Sequence, residues 1–260
     1  MPRILDLSIP IENDVASDPE FSRPEITYLS HEMTLDRMRA SFPELRREHL
    51  PDGAAWAIER LVVTTHHGTH LDAPYHFHPT TNHDLVEGGE PAPTIDEIPL
   101  DWCFRPGVKL DLRHLPDGHV ATVDDIRAAL DGTGHVLQPY DIVLVNTRAG
   151  SRYGHKDYVS AGCGVGREAT LFLVEQGVRI TGTDAWSWDA PFEHTRRRVE
   201  ETGDYGLIWE GHKVGRQRLY CHLEKLHQLE LLPATGFTVV CFPVRIRKAS
   251  AGWTRAVALL

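Results

Sequence analysis

Between His66 and His76 the chain reads His66-His67-Gly68-Thr69-His70-Leu71-Asp72-Ala73-Pro74-Tyr75-His76, with imidazoles at 66, 70 and 76 and a carboxylate at 72, all even positions. Side chains of an extended backbone alternate between faces, so this spacing predicts nitrogen and oxygen donors on one surface. A helix suits the pattern less. At about 100° per residue Asp72 and His76 turn away from His66 and His70, and Pro74 interrupts the backbone hydrogen bonds. Histidine and aspartate donors without thiolate suit zinc, manganese or iron, and a set of three ligands leaves positions open for water or substrate. Burying three imidazoles and a carboxylate with no cation would leave several polar groups unsatisfied. Gly68 allows close backbone approach, Thr69 can hydrogen-bond a neighbour, and Pro74 stiffens the chain ahead of His76. His67 and His78 fit the commoner role of hydrogen-bonded structural histidines.

A metal held there would draw the pKa of bound water towards about 7 and supply hydroxide for attack on a carbonyl. His76, beyond Asp72, is in range to take the proton and return it to the leaving atom. A second imidazole and carboxylate, His212 and Glu224, lie in the C-terminal third. Glu224 falls in a helix-like stretch from Leu219 to Leu229, where on its own it reads first as a residue on a solvated helix face, and the pairing with His212 is a weak signal. The other histidines, His222 among them, have no distinguishing spacing, and most read as surface-loop residues.

The elements that must position these groups read as a β-α-β rhythm. Residues 4–11 read as a short strand ended by Pro10, residues 31–50 as a loop with some helical character, and Arg60–His66 as a strand entering the histidine segment. Val108–Leu112 and Asp141–Val145 read as buried strands around a capped helix from Thr122 to Leu130. A helix from Arg167 to Gln176 leads through Gly177 into a strand at Val178–Asp184. Phe237–Phe242 and Thr254–Leu259 read as strands separated by a small-residue loop from Lys248 to Gly252. No compositional break or repeat divides the chain, which predicts one α/β domain over residues 1–260.

The 260 residues carry 41% hydrophobic and 25% charged side chains, as expected of a folded, water-soluble protein. Lysine plus arginine number 27 against 37 aspartate plus glutamate, and the resulting charge of -10 argues against nucleic acid or anionic lipid as a partner. Sixteen histidines against three methionines and four cysteines point instead to metal or proton chemistry. Cys103, Cys163, Cys221 and Cys241 form no C-x-x-C pair and read as reduced thiols. The chain's start has no basic segment followed by a long apolar one, and no apolar run reaches membrane-spanning length, so a cytoplasmic location with no membrane association is expected.

The segment His66-x-Gly68-Thr69-His70-x-Asp72-Ala73-Pro74-x-His76 resembles the signature of the metal-dependent cyclase family, which includes bacterial kynurenine formamidase and isatin hydrolase. The similarity extends to Leu5-Asp6-Leu7-Ser8-Ile9-Pro10-Ile11, Ile95-Asp96-Glu97-Ile98-Pro99-Leu100, Gly182-Thr183-Asp184-Ala185, and Phe242-Pro243 through Arg255-Ala256-Val257-Ala258. The resemblance implies a swivelling β/β/α fold, with helices flanking a mixed sheet. It implies a homo-oligomer, dimer or tetramer, with pockets near subunit contacts. It also implies one or two divalent ions, Zn2+ or Mn2+, held by His66, His70, Asp72, His212 and Glu224. In that arrangement His66 and His70 hold one ion, Asp72 and Glu224 bridge, His212 holds the second, and His76 is the acid/base.

The chain departs from the formamidase pattern at Trp186-Ser187-Trp188-Asp189-Ala190-Pro191-Phe192, where the family has small residues, and at Ala251-Gly252-Trp253. Trp186 and Trp188 would reshape a substrate pocket, unless they are core or subunit-contact residues like those aromatics commonly become. The expected activity is hydrolysis of an amide, lactam, lactone or ester bond in a cyclic or aromatic small molecule. The alternatives are a metal-dependent lyase or cyclase using the same site, and a metal-occupied binding protein without chemistry.

Overall fold

In Ile142–Asn146 every residue is buried, and the side chains alternate between two cores: Ile142 and Leu144 pack on one side, Val143 and Val145 on the other. A strand apolar on both faces belongs in the middle of a covered sheet, and that is where the computed structural model, which describes residues 3–260, puts it. Nine strands form this sheet in the order Ile4–Asp6, Val257–Leu259, Phe237–Val240, Phe104–Asp111, Ile142–Asn146, Ile180–Thr183, Cys221–Glu224, His70–Asp72 and Ala251–Trp253. The four from Phe104–Asp111 to Cys221–Glu224 run parallel, and the flanking pairings are antiparallel. The protein is therefore a single mixed α/β domain.

The Val123–Thr133 and Arg167–Glu175 helices cover one face, burying Ile126, Ala169 and Leu173 with Val108, Leu110, Val143 and Val145. Thr122 begins the first with a reciprocal cap, its Oγ1 accepting from Asp125 N at 3.2 Å while Asp125 Oδ2 accepts from Thr122 N at 2.8 Å. Gly134 ends it at φ 67°, the left-handed conformation that glycine adopts without a Cβ clash. Leu5, Leu7, Leu71, Leu144, Cys221 and Leu223 fill the opposite core. Among the described residues no helix is long and apolar enough to cross a membrane.

Four local expectations are corrected. The stretch Leu219–Leu229 is not a helix: Cys221–Glu224 is a strand buried on both faces, and its alternation of Cys221 and Leu223 with His222 and Glu224 is a two-residue period. Residues 66–76 are not continuously extended either, since only His70–Asp72 is strand and Pro74–Phe77 forms one helical turn. Pro74 sits at the start of that turn, where its missing N–H costs nothing. The supposed loop at Lys248–Gly252 runs into the edge strand Ala251–Trp253, which pairs with His70–Asp72. The strand before the histidines ends at Val62 and pairs with Glu25–Leu29 in a hairpin apart from the main sheet.

Candidate metal centre

Register brings the histidine segment and the C-terminal third together. His70–Asp72 and Cys221–Glu224 are antiparallel neighbours with His222 opposite Asp72 and Glu224 opposite His70, so all four polar side chains share one face while Leu71 and Leu223 enter the core behind them. His70, Asp72 and His222 have no exposed surface. His66 reaches in from the preceding turn, with Nδ1 2.9 Å from Asp72 Oδ1 but without the alignment of a hydrogen bond. His76, on the single helical turn, has Nε2 3.8 Å from Asp72 Oδ2.

Neighbouring acceptors orient these rings. His70 Nδ1 donates to the Gly68 carbonyl at 2.9 Å, which leaves the Nε2 lone pair 3.3 Å from Asp72 Oδ1 and 3.6 Å from Glu224 Oε2. His212 Nδ1 is bound to Asp189 Oδ2, and the same carboxylate accepts from Gly211 N at 2.6 Å and His212 N at 3.2 Å. The free His212 Nε2 thus faces Glu224 Oε1 at 3.9 Å. Glu224 Oε1 is held by Ser187 Oγ at 3.1 Å and Trp188 N at 2.9 Å. Partners of this kind fix the tautomer and aim of a ligating histidine.

Charge tests whether the residues fit a cation. Burial would raise the Glu224 carboxyl, but its hydrogen bond with His222 and the nearby imidazoles bring it down to about 2. Burial likewise opposes ionisation of Asp72, and the surrounding histidines hold it well below the usual carboxylate range. Burial disfavours the charged His222 ring, yet its hydrogen bonds to Asp72 and Glu224 push it up to about 9. His66 is raised in the same contest, chiefly through Asp72 once burial is overcome. His76 goes the other way: burial, reinforced by His66 and His212, outweighs Asp72 and depresses it to about 4. Two ionised carboxylates are therefore buried side by side, with protonated His222 as their counter-charge at neutral pH, a position a divalent cation would take over. Asp72 Oδ1 and His222 Nδ1 also lack hydrogen-bond partners.

The donors fall into two sets, Asp72 with His212, His222 and Glu224, and His66 with Asp72 and His76, each with ligand atoms within 4.8 Å of one another. Nitrogen and oxygen donors in such sets suit a divalent transition metal, and Asp72 belongs to both. His222 is the member that the sequence reading passed over. Its signal was the His-x-Glu spacing with Glu224, which becomes informative once the segment is a strand. His67, as expected, is structural: Nδ1 accepts from Thr64 N at 2.7 Å, so Nε2 carries the proton and donates to the Ser22 carbonyl at 2.8 Å.

A cavity of about 150 Å³ opens onto His66, His76, His212 and Glu224. Trp186 lines it. Trp188 does not: it is fully buried, donates Nε1 to Thr170 Oγ1 at 2.9 Å, and stacks behind His222 at 5.9 Å. Its contribution to the centre is the backbone N–H on Glu224. Trp209, not singled out from the sequence, also lines the cavity and stacks on His212 at 5.2 Å.

The family model "Putative cyclase" matches residues 5–190. The chain belongs to this cyclase family. The matched span contains the whole histidine segment, while His212, His222 and Glu224 of the cyclase-family chain lie beyond it. A kynurenine formamidase of Erythrobacter litoralis (strain HTCC2594) is 25% identical over 213 residues, covering 82% of this chain and 81% of that protein. An isatin hydrolase bound to the product analogue thioisatinate has a TM-score of 0.72 at 20% identity, covering 99% of this chain and 92% of its own. Isatin hydrolase A from Labrenzia aggregata, bound to benzyl benzoate, gives 0.71 at 23%, with 99% and 93% covered. These two structures share the fold of the cyclase-family chain.

Proposed function

We propose that this chain is a metal-dependent hydrolase that cleaves an amide, lactam or lactone bond in a small cyclic or aromatic molecule. The observation that carries the reading is the pair of buried carboxylates, Asp72 and Glu224, ringed by His66, His70, His212 and His222 beside an open cavity. The kynurenine formamidase and isatin hydrolase relatives support the choice of bond. One or two divalent ions, zinc or manganese, would be held by His66, His70, Asp72, His212, His222 and Glu224. Such an ion supplies acidity to a water and charge stabilisation to a carbonyl oxygen.

The chain's own groups do the rest. His76, depressed to about 4, is neutral at pH 7 and has a lone pair for a proton. It takes that proton from the attacking water at its ring nitrogen and returns it to the leaving nitrogen or oxygen. Asp189 holds His212, and Ser187 with the Trp188 N–H holds Glu224, so both stay in place as charge develops. The aromatic walls Trp186 and Trp209 flank the substrate and limit access of bulk water.

His76→Ala tests the assignment. The variant should retain its metal and lose turnover by about 10²–10⁴-fold; full activity refutes the role of His76. Turnover in isotopically labelled water should place the label in the acid product, whereas its absence would favour elimination by the alternative lyase chemistry.

The hairpin of Glu25–Leu29 and Ile58–Val62 leaves Tyr28, Ile58, Leu61 and Val62 exposed, and an isolated two-stranded hairpin is marginal in water. We read it as a contact between copies of this chain in a homodimer or tetramer, to be checked by light scattering. Cys103, Cys163, Cys221 and Cys241 are all buried, and a cytoplasmic setting remains part of the proposal.

A further inference from the structure

Beside the metal ligands lies a buried ion pair that the chemistry above does not use. Lys225, immediately after Glu224, has φ 57°, a left-handed conformation uncommon for a residue with a Cβ. The residue is 2% exposed and lines the cavity. Nζ donates to Asp18 Oδ1 at 3.2 Å and to the His66 carbonyl at 3.3 Å, and lies 5.1 Å from the centre of the Trp186 ring. Trp186 Nε1 donates to the same Asp18 Oδ1 at 3.3 Å. Asp18, itself 7% exposed, is thus gripped from both sides.

Asp18 lies in the N-terminal segment whose Ser22 forms part of the cavity wall. That segment has a second tie, the His67 ring on the Ser22 carbonyl. The anchors are therefore Lys225, next to Glu224, and His67, next to His66. The wall is fastened to both segments that carry metal ligands.

The space beside this segment is open to solvent on one side and small. A cavity of about 150 Å³ holds about one benzene-sized ring, and drug-sized ligands occupy about 300–1,000 Å³. We propose that Asp18, Lys225 and Trp186 form a latch that fixes the segment around Ser22, which contributes that residue to the cavity wall, and that this latch restricts the part of the substrate inside the cavity to a single ring. The inference rests on the cavity being the substrate site of the hydrolase described above. Asp18 and Lys225 act as positioning residues: a buried ion pair that loses one partner leaves the other charge uncompensated, so either change releases the wall.

The test compares benzamide with 1-naphthamide, which differ by one fused ring, in calorimetric titrations of the zinc-loaded protein. N-formylaniline and N-formyl-1-naphthylamine serve as the corresponding substrates. The wild type should favour the single-ring ligand by about tenfold or more, in the range that a shaped pocket gives. Asp18→Asn and Lys225→Met should bring the two ligands to near parity, with faster hydrogen exchange in residues 17–23 and unchanged zinc content.

Equal binding of the two ligands by the wild type, or binding of neither, overturns the proposal whatever the variants do. A retained preference in variants whose wall exchanges faster overturns it as well. A single-ring preference lost in the variants, without hydrolysis of either formanilide, supports the latch and refutes the hydrolase reading instead.

Discussion

Metal binding at this centre should be an exchange of a cation for a proton, and His222 sets its size. Without a metal, His222 titrates at about 9 and is protonated at pH 7. Glu224 at about 2, and Asp72 well below its usual range, are already ionised. A ligating imidazole must be neutral, so a cation that engages His222 displaces its proton. At pH 7 that displacement lowers the affinity on the order of 100-fold, the equivalent of about two pKa units. Release of the His222 proton should make affinity rise about tenfold per pH unit from 7 towards 9 and flatten above 9, with His66, also raised, adding to the slope where it titrates. His76 is neutral throughout this window and contributes nothing to the slope.

The sign for folding follows from the same shift. The His222 pKa is raised above its unfolded value of about 6.5, so the stability it gives the metal-free protein is complete below 6.5 and lost as pH rises through about 9. Competition with a chromophoric chelator, corrected for the chelator's own protonation, measures the affinity at each pH. His222→Gln should flatten the profile. A wild-type affinity constant from pH 7 to 9 would refute the proton-exchange reasoning.

Two further perturbations separate the centre from its scaffold. Asp189→Asn removes the charge that aims His212 and should weaken metal binding about 10–100-fold in the same competition assay, with secondary structure unchanged by circular dichroism. Leu144→Ala in the fully buried central strand should cost about 2–5 kcal/mol and lower Tm by about 2–4 °C per kcal/mol, while the folded fraction keeps its metal stoichiometry.

The parts of the fold that could be read in the sequence are those whose local signals agree with their tertiary role. The helix beginning at Thr122 has its cap, its apolar stripe of Ile126 and Leu130, and its closing Gly134 all in local sequence. The apolar run Ile142–Val145 announces a covered strand. Cys221–Glu224 is ambiguous in the sequence because its neighbours Leu219, Leu226 and Leu229 fall at spacings that also suit a helix face. Pairing with Ile180–Thr183 and His70–Asp72 decides it as a strand.

The same pattern holds at the site. His66, His70, Asp72 and His76 stand out because their donors are close in sequence, and the structure gathers them although it reaches His76 by a helical turn. His222 was invisible because its partners Asp72 and Glu224 become neighbours only through sheet register. Asp18, Lys225 and Trp209 were equally hidden, since their roles depend on contacts between distant segments. Trp188, conspicuous in the sequence, lies behind the site where its indole fills the core under the helices.

The most direct test of the account is anomalous diffraction from crystals grown with zinc or manganese, recorded at the absorption edge of the added ion. One or two peaks should appear within bonding distance of Asp72 and Glu224 and the surrounding imidazoles, and none in an Asp72→Asn, Glu224→Gln double variant. An empty centre in the wild type, with metal bound only elsewhere, would contradict it.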